Sequence, residues 1–193
     1  KSFERKIYNP YFSTKGNKEN LTFIFAICKK LNLQNKEIFK IINKFKGLKY
    51  GQQIIYNNSK IKIINDSKST SFASTTNIFQ SLEKVFWLVG GIGKLGDRFN
   101  LKKNECKNIK AYIFGKNKKF FTNQFKSKLS YRCFKNLKSA IKQVLIEVNE
   151  SESKLQKTVL FSPSAASFDN FKNFEERGEY FNFLLKKYKV NKL

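Results

Sequence analysis

The side chains that could do chemistry sit in short polar stretches, each placed directly after an apolar run. Asn65-Asp66-Ser67-Lys68-Ser69-Thr70 follows Lys60-Ile61-Lys62-Ile63-Ile64, Gly90-Gly91-Ile92-Gly93-Lys94 follows "VFWLV", and Ser162-Pro163-Ser164-Ala165-Ala166-Ser167 follows "KTVLF". Lys68 and Lys94 offer two ammonium groups, and the neighbouring serines and Thr70 offer hydroxyls. An amino acid with two carboxylates would satisfy that set, each charge-assisted hydrogen bond contributing roughly 1.5–3 kcal/mol. The glycine stretch is not a Walker A phosphate loop, which would need glycine at Leu88 and Ser or Thr at Leu95. For any one loop the competing use of Asp and Ser is the ordinary capping of a helix start.

Other chemistries drop out by composition. The chain of 193 residues has no histidine, which removes Ser-His and Cys-His nucleophiles and histidine-ligated zinc. Its three cysteines, Cys28, Cys106 and Cys133, are too widely spaced for a CxxC metal site and leave no disulfide framework. A net charge of +25 would ordinarily suggest nucleic acid or an anionic membrane. Here the charge is nearly all lysine, dispersed among Asn, Ile and Phe, with arginine only at positions 5, 98, 132 and 177. That distribution reads as a solvated surface, so no nucleic-acid and no membrane partner is expected; a basic nucleic-acid-binding module is the rival reading. No apolar run is long enough to span a bilayer, and a cytoplasmic monomer is the expectation. The sequence has no methionine, even at position 1, which predicts a carboxyl-terminal piece of a longer protein.

The elements that must position these loops are legible as a pattern. Residues 1–16 show no period and read as a lead-in. Helices are predicted over 20–31 and 35–45, the second presenting Ile38, Ile41, Ile42 and Phe45 and stopping near Gly47. A hairpin turning at Asn57-Asn58-Ser59 follows. Strands are then predicted over 85–91, 109–115 and 157–163, and helices near 71–83, 117–127, 136–148 and 169–187, the last capped by Asp169 or Asn170. Continuous apolar strands alternating with helices predict an α/β fold, a mostly parallel sheet with helices on both faces. Ligands of such sheets lie beyond the carboxyl ends of the strands, where all the polar stretches fall. The small-residue loop 162–167 would open an anion site at the last helix's start, and Gly178 inside that helix predicts close packing.

"NDSKST" (65–70), "VGGIGK" (89–94), "AYIFG" (111–115) and "LFSPSAASFDNFKNFEERGEYF" (160–181), in this order, resemble the D-glutamate-adding members of the Mur ligase family. The resemblance implies a Rossmann-like amino-acid-binding domain over 51–193, preceded over 1–50 by the helical end of the family's central ATPase domain. It implies ATP-dependent joining of D-glutamate to UDP-N-acetylmuramoyl-L-alanine in peptidoglycan synthesis, through an acyl phosphate and with Mg2+. Residue by residue, it assigns D-glutamate to Lys68, Thr70, Lys94, Ser167, Phe168 and Phe174, and the ATP side to Asn17, Asn20 and Asp66. The chain departs from the family pattern where Gly16 replaces a histidine, Tyr50-Gly51 a His-Arg pair and Ala165 a cysteine. The lost arginine, which contacts ATP in the family, leaves an inactive relative as a further alternative. The UDP-binding and phosphate-loop regions would lie upstream of this chain.

Overall fold

The computed structural model describes residues 6–188. Two helices come first, α1 (Lys15–Lys30) and α2 (Asn35–Lys44). Thr14 caps α1 by accepting the Asn17 N–H, so the helix starts one turn earlier than the apolar spacing predicts. α2 ends at Lys44 with Phe45 as its cap, and Gly47, at φ +81°, lies beyond it. Phe12, Leu21, Ile38 and Ile42 make a small core of their own between these helices and the 3-10 turn Pro10–Ser13.

The remainder is one six-stranded sheet. Its strands are β1 (Gln53–Asn57), β2 (Ile61–Asn65), β3 (Lys84–Gly90), β4 (Ile109–Phe114), β5 (Ser130–Cys133) and β6 (Lys157–Phe161), in spatial order β1-β2-β6-β3-β4-β5. Among these strands the β1–β2 hairpin is antiparallel and the other neighbouring strands pair parallel. Four helices cover it: α3 (Phe72–Phe79), α4 (Lys118–Phe125), α5 (Leu137–Glu150) and α6 (Phe174–Lys187).

Strand side chains alternate between two cores, because successive residues of a strand face opposite sides. Ile63, Phe86, Leu88, Tyr112, Phe114, Val159 and Phe161 pack under α5 and α6. Ile64, Val85, Trp87, Val89, Ala111, Ile113 and Leu160 pack under α3 and α4, joined by Phe99. Burial on both faces explains why these strands read as mostly apolar runs, broken in β2 and β4 by the part-buried Lys62 and Lys110. Two further details differ from the sequence reading. β5 was not expected; its four residues are all exposed at the sheet edge, so nothing apolar marks it. α6 begins at Phe174, with Asn173 as its cap accepting the Glu176 N–H, and not at Asp169 or Asn170.

Candidate functional site

β2, β6 and β3 are consecutive in the sheet and parallel, so the loops after them emerge side by side at one edge. These are the loops that hold Lys68 and Thr70, Ser167, and Lys94.

The loop after β2 is built as an alternation. Asn65, Asp66, Ser67 and Ser69 are buried, while Lys68 and Thr70 are exposed. Each buried member is anchored. The Asn65 amide donates to the Gly178 carbonyl (3.0 Å) and to Asn182 Oδ1 (2.9 Å) on α6. The Ser67 hydroxyl donates to the Phe174 carbonyl at 2.8 Å. Asp66 accepts from the Gln52 N–H (3.0 Å) and the Ser162 hydroxyl (2.6 Å). The result is a rigid seat that presents Lys68 and Thr70 outward.

Arg177, which the sequence reading did not place at the site, ties the seat to the neighbouring loop. It is 1% exposed. Its Nη2 donates to the Ser67 carbonyl (2.7 Å), its Nε to the Ser67 hydroxyl (3.1 Å), and its Nη1 to the Ala165 carbonyl (3.0 Å). Burial pulls the guanidinium down to about 10, opposed by the charges of Asp169 and Asp66. Burial likewise pushes the Asp66 carboxyl up to about 7, against the Ser162 and Gln52 hydrogen bonds and the Arg177 charge. A signal was available in the sequence: Arg177 lies between Phe174 and Phe181 at helical spacing, on the apolar stripe where a charge needs a partner.

The glycine stretch after β3 is sewn to the loop after β6. Ile92 and Ala166 exchange both backbone hydrogen bonds, at 2.9 and 3.0 Å, and the Gly90 N–H reaches the Pro163 carbonyl. Gly91, at φ +127°, is required here, since a Cβ would lie 2.3 Å from the Ala166 carbonyl. Lys94 stands exposed beyond this pairing.

The small-residue loop does not open directly onto the last helix, as the sequence pattern predicts it should. Ser162 and Ser164 spend their hydroxyls inward on Asp66 and Thr75, and the helix start lies beyond residues 168–173, occupied by its own cap. Ser167, at the end of the small-residue loop, is 4% exposed, and Phe168, just after it, 72%. Phe174 is half-buried at the α6 start, its carbonyl held by Ser67.

On the side assigned to ATP, Asn17 is buried, donating to the Tyr11 carbonyl (2.7 Å) and to Gln52 Oε1 (3.2 Å). Gln52 in turn binds Asp66, so Asn17, Gln52 and Asp66 form one line from α1 to the sheet. Asn20 lies exposed further along α1. Tyr50, Gly51 and Gln52 connect the two regions; the Tyr50 ring packs on Gly178 and its hydroxyl donates to Glu179 Oε1 at 3.1 Å. Among the described residues no group of three or more His, Cys, Asp or Glu could hold a metal ion.

No family model matches the chain. Individual proteins do. The chain is 35% identical over 172 residues to the UDP-N-acetylmuramoylalanine–D-glutamate ligase of Rickettsia prowazekii, covering 89% of this chain and 38% of that protein. It is 34% identical over 166 residues to the ligase of the same name from Wolbachia pipientis, covering 86% of this chain and 32% of that protein. The chain belongs to the Mur ligase family. It spans about a third of the length of these curated relatives. Among solved structures, MurF from Acinetobacter baumannii superposes with a TM-score of 0.62 at 18% identity over 90% of this chain and 38% of that one. MurF ligase from Thermotoga maritima in complex with ADP superposes with a TM-score of 0.59 at 16% identity over 90% of this chain and 39% of that one. At such identities these superpositions speak to the fold, which is the Mur ligase arrangement of a mostly parallel sheet between helices. No helix among the described residues is long and apolar enough to cross a membrane.

Proposed function

We propose that this Mur ligase chain supplies the D-glutamate-binding half of an ATP-dependent ligase that extends UDP-N-acetylmuramoyl-L-alanine in the cytoplasm. The observation that carries this reading is the 35% identity, over 89% of the chain, to a protein named for that reaction. The loop geometry supports it. Lys68 and Lys94 flank Ser167 on adjacent strand ends, an arrangement suited to two carboxylates held at a fixed separation. Thr70 and Ser167 would add hydroxyl hydrogen bonds, and Phe168 and Phe174 apolar cover. We divide the chain at residue 50, with the helical unit before it belonging to the ATP-binding part of the relatives.

In this reading the role of the seat is to hold D-glutamate with its amine facing the acceptor. When bound, ATP would supply the phosphoryl group that activates the acceptor carboxylate, with ADP as the leaving group. Asn17, Asn20 and Asp66 are the residues proposed to meet the nucleotide. Asp66 can do so only through the lone pairs left by Gln52 and Ser162, and the described residues form no metal site, so no step is assigned here to Mg2+.

Binding of D-glutamate to this chain, followed by calorimetry, tests the amino-acid half. D-glutamate-dependent ADP release by the longest product of the coding sequence containing this chain, with UDP-N-acetylmuramoyl-L-alanine as acceptor, tests the whole. A full-length product that binds D-glutamate and releases no ADP would identify an inactive relative.

A further inference from the structure

One side chain joins the two loops that the amino-acid reading depends on, and it is not among the residues proposed to meet either ligand. Thr75, on α3 and fully buried, places its hydroxyl 2.8 Å from Ser69, 2.6 Å from Ser162 and 2.6 Å from Ser164, in each case from the serine hydroxyl. Ser69 lies between Lys68 and Thr70 in the loop after β2. Ser162 and Ser164 lie in the loop after β6, just before Ser167.

Hydrogen-bond valence makes the hub specific. A hydroxyl has one proton to donate and two lone pairs to accept with. When Asp66 is ionised it takes the Ser162 proton, so Ser162 must accept from Thr75. Thr75 then accepts from Ser69 and Ser164, and its capacity is filled. A methyl in place of the hydroxyl satisfies none of the three. Ser164 depends most on the hub: it is a non-glycine residue at φ +54°, and its other hydroxyl contact, to the Ser162 carbonyl, is long at 3.5 Å. Ser69 keeps a second partner in Ser74 at 2.7 Å.

We infer that Thr75 is a positioning residue whose hydroxyl sets the spacing between the loop bearing Lys68 and Thr70 and the loop bearing Ser167. As far as it concerns D-glutamate, the inference rests on the function proposed above.

The experiment compares the wild-type chain with Thr75→Val, which keeps the shape and removes the hydroxyl, and Thr75→Ser, which keeps the hydroxyl and leaves a methyl-sized hole. D-glutamate affinity is read by calorimetry and the backbone amide shifts by NMR. Thr75→Val should weaken D-glutamate about tenfold or more, the equivalent of a lost buried hydrogen bond. Thr75→Ser should bind within about threefold of wild type even where its melting temperature falls, a rescue that mere packing would not produce. The amides of 68–70 and of 164–167 should shift together in Thr75→Val and stay near their places in Thr75→Ser.

A folded Thr75→Val with wild-type affinity, or with shifts confined to α3, overturns the inference. If the wild-type chain itself binds no D-glutamate, the substrate reading fails, and Thr75 is judged on the amide shifts alone. If Thr75→Val does not fold, Ser164→Ala removes one arm of the hub; unchanged amides at 68–70 and unchanged affinity in that variant would overturn the inference equally.

Discussion

Asp66 should make the folded chain less stable as pH rises through the weakly acidic range. Its carboxyl is 5% exposed and titrates near 7, against an ordinary value of 3.8, because burial disfavours the charged form more than its partners favour it. Between those pH values the folded chain binds more proton at this site than the unfolded chain does. The contribution is therefore full below about pH 4, is lost as pH rises toward about 7, and is level above that. At 1.36 kcal/mol for each pH unit of separation, the swing is on the order of 4 kcal/mol. For a chain of this size that is a fall in melting temperature on the order of 10 °C.

Asp66→Asn isolates the effect. The amide oxygen can accept the Gln52 N–H and the amide nitrogen can donate to a reoriented Ser162 hydroxyl, so the geometry is kept while the titration is removed. With the Ser162 and Gln52 bonds and the Arg177 attraction already contained in the raised value, the variant should be more stable than wild type by about 4 kcal/mol at pH 8. Near pH 4 the two should be alike. Urea unfolding of both proteins between pH 4 and 8.5 measures the difference directly. Parallel curves, or a wild type that gains on the variant as pH rises, would refute the reasoning. Glu147 does not interfere: burial pushes its carboxyl up, but hydrogen bonds from Lys110, Tyr112, Arg132 and Gln143 outweigh this and hold it at about 2. Its contribution is present above about pH 4.5 and lost only below that, a separate window with the opposite sign.

Further outcomes follow from the same geometry. Gly178→Ala should destabilise by about 1–3 kcal/mol, because the new Cβ would meet the Tyr50 ring at 2.4 Å and Tyr50, 1% exposed, has nowhere to go; chemical denaturation checks it. Arg177→Met should cost about 3 kcal/mol by stranding the Ser67 and Ala165 carbonyls, and should abolish D-glutamate binding under conditions where circular dichroism shows a folded chain. Lys94→Ala, at an exposed site, should leave the melting temperature within about 2 °C and weaken D-glutamate at least about tenfold. In a ligase assay the same change should raise the D-glutamate requirement far more than the ATP requirement, and equal effects would contradict the role given to Lys94.

The fold was legible where burial leaves a mark on composition. β2, β3, β4 and β6 are covered on both faces, so each reads as an apolar run, and the loop after each strand could be assigned to the functional edge. β5 lies at the rim with Ser130, Tyr131, Arg132 and Cys133 all exposed, and four such residues carry no period. Helix starts were misplaced by caps that spacing does not reveal: Thr14 begins α1 before its apolar positions do, and Asn173 was passed over for Asp169. Gly178 was read correctly as a site of close approach, though only the fold could show that Tyr50 is what approaches.

The site was half legible. Its outward groups could be named by charge and by resemblance to the Mur ligases. The frame behind them could not, because Gln52, Thr75 and Arg177 act through partners distant in sequence: Asp66, Ser162 and Ala165. Serine hydroxyls expected to receive a ligand are instead engaged with Thr75 and Asp66 beneath the surface. Lys68 and Thr70 are the residues of that loop left facing outward.

In the function proposed here, this chain holds D-glutamate between the loops after β2, β6 and β3. An NMR titration of the chain with D-glutamate, and with L-glutamate in parallel, tests it most directly. Saturable shifts for D-glutamate are expected at the amides of Lys68, Thr70, Lys94 and Ser167, and weaker or no shifts for the L isomer. Shifts located elsewhere, equal response to both isomers, or no response to millimolar D-glutamate would contradict it.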